Sequence, residues 1–187
     1  MASSKHLILE NARRLFSENG FKGTTIAQIA KTSNVTDAAI YRHYRSKQQI
    51  FDSIINDFFD EFSGLMDSIH ERQKSGYCLI ETLILDLDAF LDERVVELKV
   101  IMNTYTIMPS ARQIMERMYA LLGLTLERCL EKGMRDGTVR DDLDITPTAS
   151  LIAVMLMGMS RRQLYWPETP NLAQEAVTFC QRSIRSL

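Results

Sequence analysis

The chain has 187 residues, of which 45% are hydrophobic and 25% charged, enough for a packed core in one generous domain or in a small head joined to a larger body. The formal net charge of −2 conceals a split: residues 1–50 carry eight Lys or Arg against Glu10, Glu18 and Asp37, a balance of +5, while the rest balances to −7. An acidic protein can thus present a basic face to a polyanion. Cys78, Cys129 and Cys180 fit neither a disulfide framework nor a metal-binding pair, which points to a reducing cytoplasm. The N-terminus lacks the apolar run of a signal peptide, and the apolar stretch 151–158 is too short to span a bilayer, so no membrane association is expected.

From Lys5 to Asn19, Leu7, Ile8, Ala12, Leu15 and Phe16 recur at helical spacing, and Asn19-Gly20 supplies the stop. Phe21 then turns back toward the core. Thr24 or Thr25 can cap a second helix, and Thr25 with Gln28 has capping-box spacing. Ser33-Asn34-Val35 is a tight turn in which Asn34 tolerates positive φ. Thr36 caps a third helix whose Ala38 and Ala39 keep its surface thin, suited to the major groove of B-DNA, about 12 Å wide. Tyr41, Arg42, His43 and Tyr44 follow, leading to Arg45 and Lys47. Ser46 and Gln49 again have capping-box spacing.

The run LILENARRLFSENGFKGTTIAQIAKTSNVTDAAIYRHYRSKQQIFDSI resembles the N-terminal domain of TetR/AcrR transcriptional regulators over about residues 5–56. Ala12, Phe16, Gly20, Thr25, Ile29, Ala30, Val35, Ile40, Tyr41, Tyr44 and Lys47 sit in register. The resemblance implies that Thr25, Tyr41 and Lys47 contact phosphates. It also implies that residues at the start of the third helix (Thr36, Asp37, Ala38), with Arg42 and His43, face base edges. Tyr44 joins this candidate set, with helix packing as its other use. Two departures stand out. Asp37-Ala38 replaces a frequent basic residue followed by Gly, so Asp37 either accepts from cytosine N4 or favours the positive helix N-terminus. Asn34 replaces a common turn Gly. The resemblance further implies an all-α fold, a symmetric homodimer on an inverted-repeat operator in double-stranded DNA, and a body that receives a small-molecule effector.

After the head (1–48), the body (49–187) opens with a long helix striped by Ile50, Phe51, Ile54, Ile55, Phe58, Phe59, Phe62, Leu65, Met66 and Ile69. It leaves the head without a flexible linker, so movement in one region can reach the other. Further helices are expected over 77–91, 94–107, 111–132, 147–164 and 172–184, with 133–144 a polar connection and Thr146-Pro147 a cap followed by Pro at the first helical position. Such a set closes as a helical bundle serving regulation and dimerisation.

Met102, Tyr105, Met108, Met115, Met118 and Tyr119 form an adaptable, polarizable group suited to a moderately apolar effector of unknown identity; they suit an ordinary core equally well. Ala149, Ala153, Leu156, Met157, Ala173, Ala176, Val177 and Cys180 are the expected dimer surface, an assignment carried by the resemblance more than by the residues, which can also pack internally.

Enzymatic patterns are missing from the sequence. His70–Gln73 lacks the second His of a metalloprotease helix, Asp141, Asp142 and Asp144 lack calcium-loop spacing, and no glycine-rich phosphate loop occurs. No metal or cofactor is expected. The reading is a dimeric helix-turn-helix repressor released by an effector; the alternative is a DNA-binding regulator without one, controlled by a protein partner or by abundance.

Overall fold

A computed structural model describes residues 4–186. Among these the fold is all-α: α1 (Ser4–Gly23), α2 (Ile26–Thr32), α3 (Asp37–His43), α4 (Lys47–Glu71), α5 (Gly76–Glu93), α6 (Val95–Thr104), α7 (Pro109–Arg135), α8 (Ile145–Tyr165) and α9 (Ala173–Ile184). One isolated antiparallel bridge joins Val139 to Arg185. Among the described residues no helix is long and apolar enough to cross a membrane.

The chain forms two compact units, and the division passes through helices rather than between them. The first takes in residues up to Asp60 together with Arg94–Met115; the second takes in Glu61–Glu93 and residues from Glu116 onward. Both α4 and α7 therefore contribute to each unit. The expected head, 1–48, lies in the first unit, which additionally recruits α6, packed against α1.

In the first unit, Ile8, Ala12 and Phe16 of α1 are buried with Ile29, Ile40, Ile50 and Phe51. Gly20 breaks the helical path of α1 with φ of 70°, a conformation costly for any residue bearing a Cβ. The break returns Phe21 to the core, where its ring lies 5.7 Å from Phe16 and 5.3 Å from Phe51. Asn34 occupies the left-handed region at φ 53° in the turn between α2 and α3, as its side chain permits.

In the second unit, α5 packs on α8 and α9, burying Leu79, Ile80, Leu83, Ile84 and Leu87. The expected Thr146 cap is corrected: α8 begins at Ile145, with Asp144 as N-cap and Pro147 inside the first turn. Pro is accommodated there because first-turn amides have no partner within the helix.

Candidate nucleic-acid interface

Local chemistry fixes α2 and α3. The Gln28 N–H donates to Thr25 Oγ1 at 3.2 Å, while the Thr25 N–H donates to Gln28 Oε1 at 2.7 Å, completing a reciprocal capping box. Thr36 caps α3 by accepting from the Ala39 N–H at 3.2 Å. These bonds satisfy amides that the helix cannot, which allows helices as short as seven residues.

The third helix divides cleanly between core and surface. Ala39 and Ile40 are buried, as is Tyr44 just beyond its end, whereas Thr36, Asp37, Ala38, Tyr41, Arg42 and His43 are exposed. Tyr41 leaves 55% of its surface to solvent. Thr25 is exposed at the start of α2. The outward row thus carries a carboxylate at one end of α3 and a guanidinium and an imidazole at the other. It offers phosphate-pairing and base-edge groups along one accessible ridge.

Two members of the expected DNA-contacting set occupy other positions. Tyr44 is 2% exposed, and its hydroxyl is buried without a hydrogen-bond partner. Burial, reinforced by the Asp57 carboxylate and opposed by Arg13, holds that hydroxyl above its ordinary pKa. The aromatic ring was needed by the core, so Tyr44 is a packing residue here. Lys47 is half-buried, and its ammonium donates to the Phe21 and Thr24 carbonyls at 2.7 and 2.6 Å.

In the expected effector set, Met102, Met115 and Met118 are buried, Tyr105 and Met108 half-buried, and Tyr119 is 38% exposed. The first unit holds Met102, Tyr105, Met108 and Met115, whereas Met118 and Tyr119 belong to the second.

The expected dimer residues require a correction. Ala149, Ala153, Leu156, Met157, Ala173, Ala176, Val177 and Cys180 are all buried within the single chain, so they cannot form its free surface. Small residues let α8 and α9 approach the neighbouring helices of their own unit. The opposite faces carry the exposed apolar groups: Leu151 at 72%, Val154 at 60% and Phe179 at 58% exposure. An open apolar cavity of about 390 Å³ lies beside them, lined by residues including Leu151, Met155, Phe179 and Ile184. The signal that sequence reading passed over is the unbroken apolar run 151–157, because a helix apolar all round has two faces to cover.

Comparison with known proteins sets this geometry in context. Residues 8–54 match the family described as "Bacterial regulatory proteins, tetR family". The biofilm operon icaADBC HTH-type negative transcriptional regulator IcaR of Staphylococcus aureus (strain Newman) is 36% identical over 75 residues, covering 40% of this chain and 39% of IcaR. The chain therefore matches about two fifths of the length of this relative. Among solved structures, the ketosteroid transcriptional regulator KstR2 of Mycobacterium tuberculosis superposes with a TM-score of 0.80 at 18% identity, covering 100% of this chain and 97% of KstR2. A transcriptional regulator from Saccharomonospora viridis in complex with choline superposes equally well, with a TM-score of 0.80 at 18% identity and 98% of each chain covered. These likenesses establish the fold over the whole chain and the family over its N-terminal domain.

Proposed function

We propose that this chain, which belongs to the tetR family of bacterial regulatory proteins by virtue of its N-terminal domain, is a homodimeric repressor that reads an inverted-repeat operator and is released by a small, moderately apolar effector. The observation carrying the DNA reading is the exposed ridge of α3, with Asp37, Ala38, Tyr41, Arg42 and His43 outward and Ile40 inward. Phosphate contacts supply salt-sensitive affinity, and side chains at base edges supply sequence choice. Thr25 and Tyr41 take phosphates; Thr36, Asp37, Ala38, Arg42 and His43 approach the bases.

Repression is favoured by the printed role of IcaR as a negative regulator. Dimerisation is supported by the uncovered apolar faces of α8 and α9, where Leu151, Val154 and Phe179 would meet a second copy. Two recognition helices then lie about 34–36 Å apart, one turn of DNA, and a symmetric operator follows. The effector reading is supported by the adaptable Met102, Met108, Met115 and Met118 and by the choline held in a protein of the same fold. Effector action is bounded by differential affinity for the DNA-competent and released states.

The test is selection of binding sites from randomised duplex DNA by the purified full-length protein, followed by sequencing. A reproducible inverted repeat is the expected result. A folded protein that enriches nothing at low salt would defeat the DNA reading.

A further inference from the structure

Lys47 presents a puzzle for a protein that binds a polyanion. It is the first residue of α4 and stands beside the recognition unit, yet its ammonium is turned inward. The Nζ donates to Phe21 O at 2.7 Å and Thr24 O at 2.6 Å, and it lies 4.3 Å from the centroid of the Phe21 ring. Two of its three N–H donors are thereby used, and the ring face supplies further attraction for the cation.

The acceptors explain why a cation is needed. The break at Gly20 ends the regular α1 ladder and leaves carbonyls in the α1–α2 connection without helical partners. Thr24, fully buried, places its hydroxyl 2.9 Å from Gly20 O and 3.1 Å from Leu15 O. Lys47 serves the Phe21 and Thr24 carbonyls from the other side. The next residue, Thr25, begins the capping box that starts α2.

We propose that Lys47 is a positioning residue for DNA recognition: it ties the α1–α2 connection to the base of α4 and thereby sets the placement of Thr25 and α2, and does not neutralise a phosphate. The inference rests on the DNA reading above and deepens it. Burial depresses the Lys47 pKa, in keeping with an ammonium partly withdrawn from water.

Salt dependence separates the two roles. A phosphate contact contributes about 0.9 to the slope of log affinity against log salt, and an internal strut contributes nothing to it. Lys47→Met is therefore compared with wild type on the selected operator and on unrelated duplex, across a salt series. The expected result is an unchanged slope with operator affinity about tenfold weaker, the scale of one lost charge-assisted hydrogen bond. Binding to unrelated duplex should stay near the wild-type value. A slope shallower by about one, with equal losses on both duplexes, would overturn the proposal.

Because the substitution can weaken folding, a second measurement uses wild type alone. Lysine labelling by formaldehyde and borohydride, read by mass spectrometry, should find Lys47 protected in the free protein and equally protected with DNA. Ready labelling that only DNA suppresses would identify a phosphate contact. If wild type shows no salt-dependent duplex binding at all, the DNA reading itself fails, an outcome distinct from either result for Lys47.

Discussion

Arg13 of α1 and Glu97 of α6 face each other at 3.3 Å, with the Glu97 side chain only 11% exposed and a second carboxylate, Asp57, 3.6 Å from the same guanidinium. The pair links two helices of the first unit that are 70 or more residues apart in sequence order at either end of the long α4–α5 excursion. Nearly buried charges are costly unless paired, so loss of one partner matters more than the pair's own attraction. Glu97→Gln should lower unfolding free energy by about 1–2 kcal/mol, less than for a fully buried pair because Arg13 retains Asp57 and some solvent. Urea denaturation of Glu97→Gln, Arg13→Gln and the double variant checks this. Strict additivity of the two losses would remove the coupling argument.

The outward faces of α8 and α9 carry the next prediction. Leu151→Glu or Phe179→Glu places a charge on a surface that the proposed second copy covers. Either should shift the protein toward monomer in sedimentation while leaving its helical circular dichroism unchanged. Ala153→Leu acts differently: Ala153 is 3% exposed, so added methylenes overpack the single chain and cost about 1–3 kcal/mol in denaturation. A dimer untouched by both charged variants would rule out this face.

These two cases mark what a sequence can reveal. Periodicity and capping chemistry disclosed α1 through α4: Gly20, Asn34, the Thr25–Gln28 box and the Thr36 cap all play their expected parts. Such features are local, because each partner lies within a few residues. The orientation of α8 was less legible, since Ala153 and Val154 are adjacent apolar residues and only the packing partners decide which turns inward. The Lys47 carbonyl contacts and the Arg13–Glu97 pair depend on residues 23 or more positions away, beyond the reach of helical spacing.

Asp37 is exposed in the first turn of α3, where it favours the positive end of the helix but opposes incoming phosphates. Asp37→Asn should strengthen binding to duplex of any sequence by up to about fivefold at low salt, since two like charges about 4 Å apart in water repel by roughly 1 kcal/mol. Titration of unrelated and operator duplexes checks the direction. If only operator binding changes, and selection loses a cytosine at one position, Asp37 is reading a base.

His70, in the last turn of α4, has a buried Nε2 without a hydrogen-bond partner. Burial, followed by the Arg128 charge and opposed by Asp67, lowers its pKa below the usual 6.5. The unfolded chain therefore takes up this proton first as pH falls. The stability associated with neutral His70 is fully present above about pH 6.5 and is lost as pH falls from there through the folded-state value. Denaturation midpoints of wild type should decline across that window more steeply than those of His70→Gln. Parallel curves would remove His70 from the account.

Gly76 opens α5 against the last turns of α7, where a Cβ would stand 2.0 Å from Gly133 N and 2.5 Å from Cys129 O. The obstacle is backbone, which cannot swing aside as a flexible side chain can. Local hydrogen bonds hold the crossing in place: the Gly76 N–H donates to Asp136 Oδ2 at 2.8 Å, and the Tyr77 N–H donates to Thr138 Oγ1 at 3.2 Å. Gly76→Ala must part the two segments and strain both bonds. A loss of about 3 kcal/mol is expected, at the upper end for overpacking, which corresponds to a Tm lower by about 6–12 °C for a chain of this size. The same substitution at Gly64, where a Cβ meets nothing within 4 Å, replaces a poor helix former with a good one and should raise the Tm. Equal effects from the two substitutions would show that close backbone approach is not what Gly76 provides.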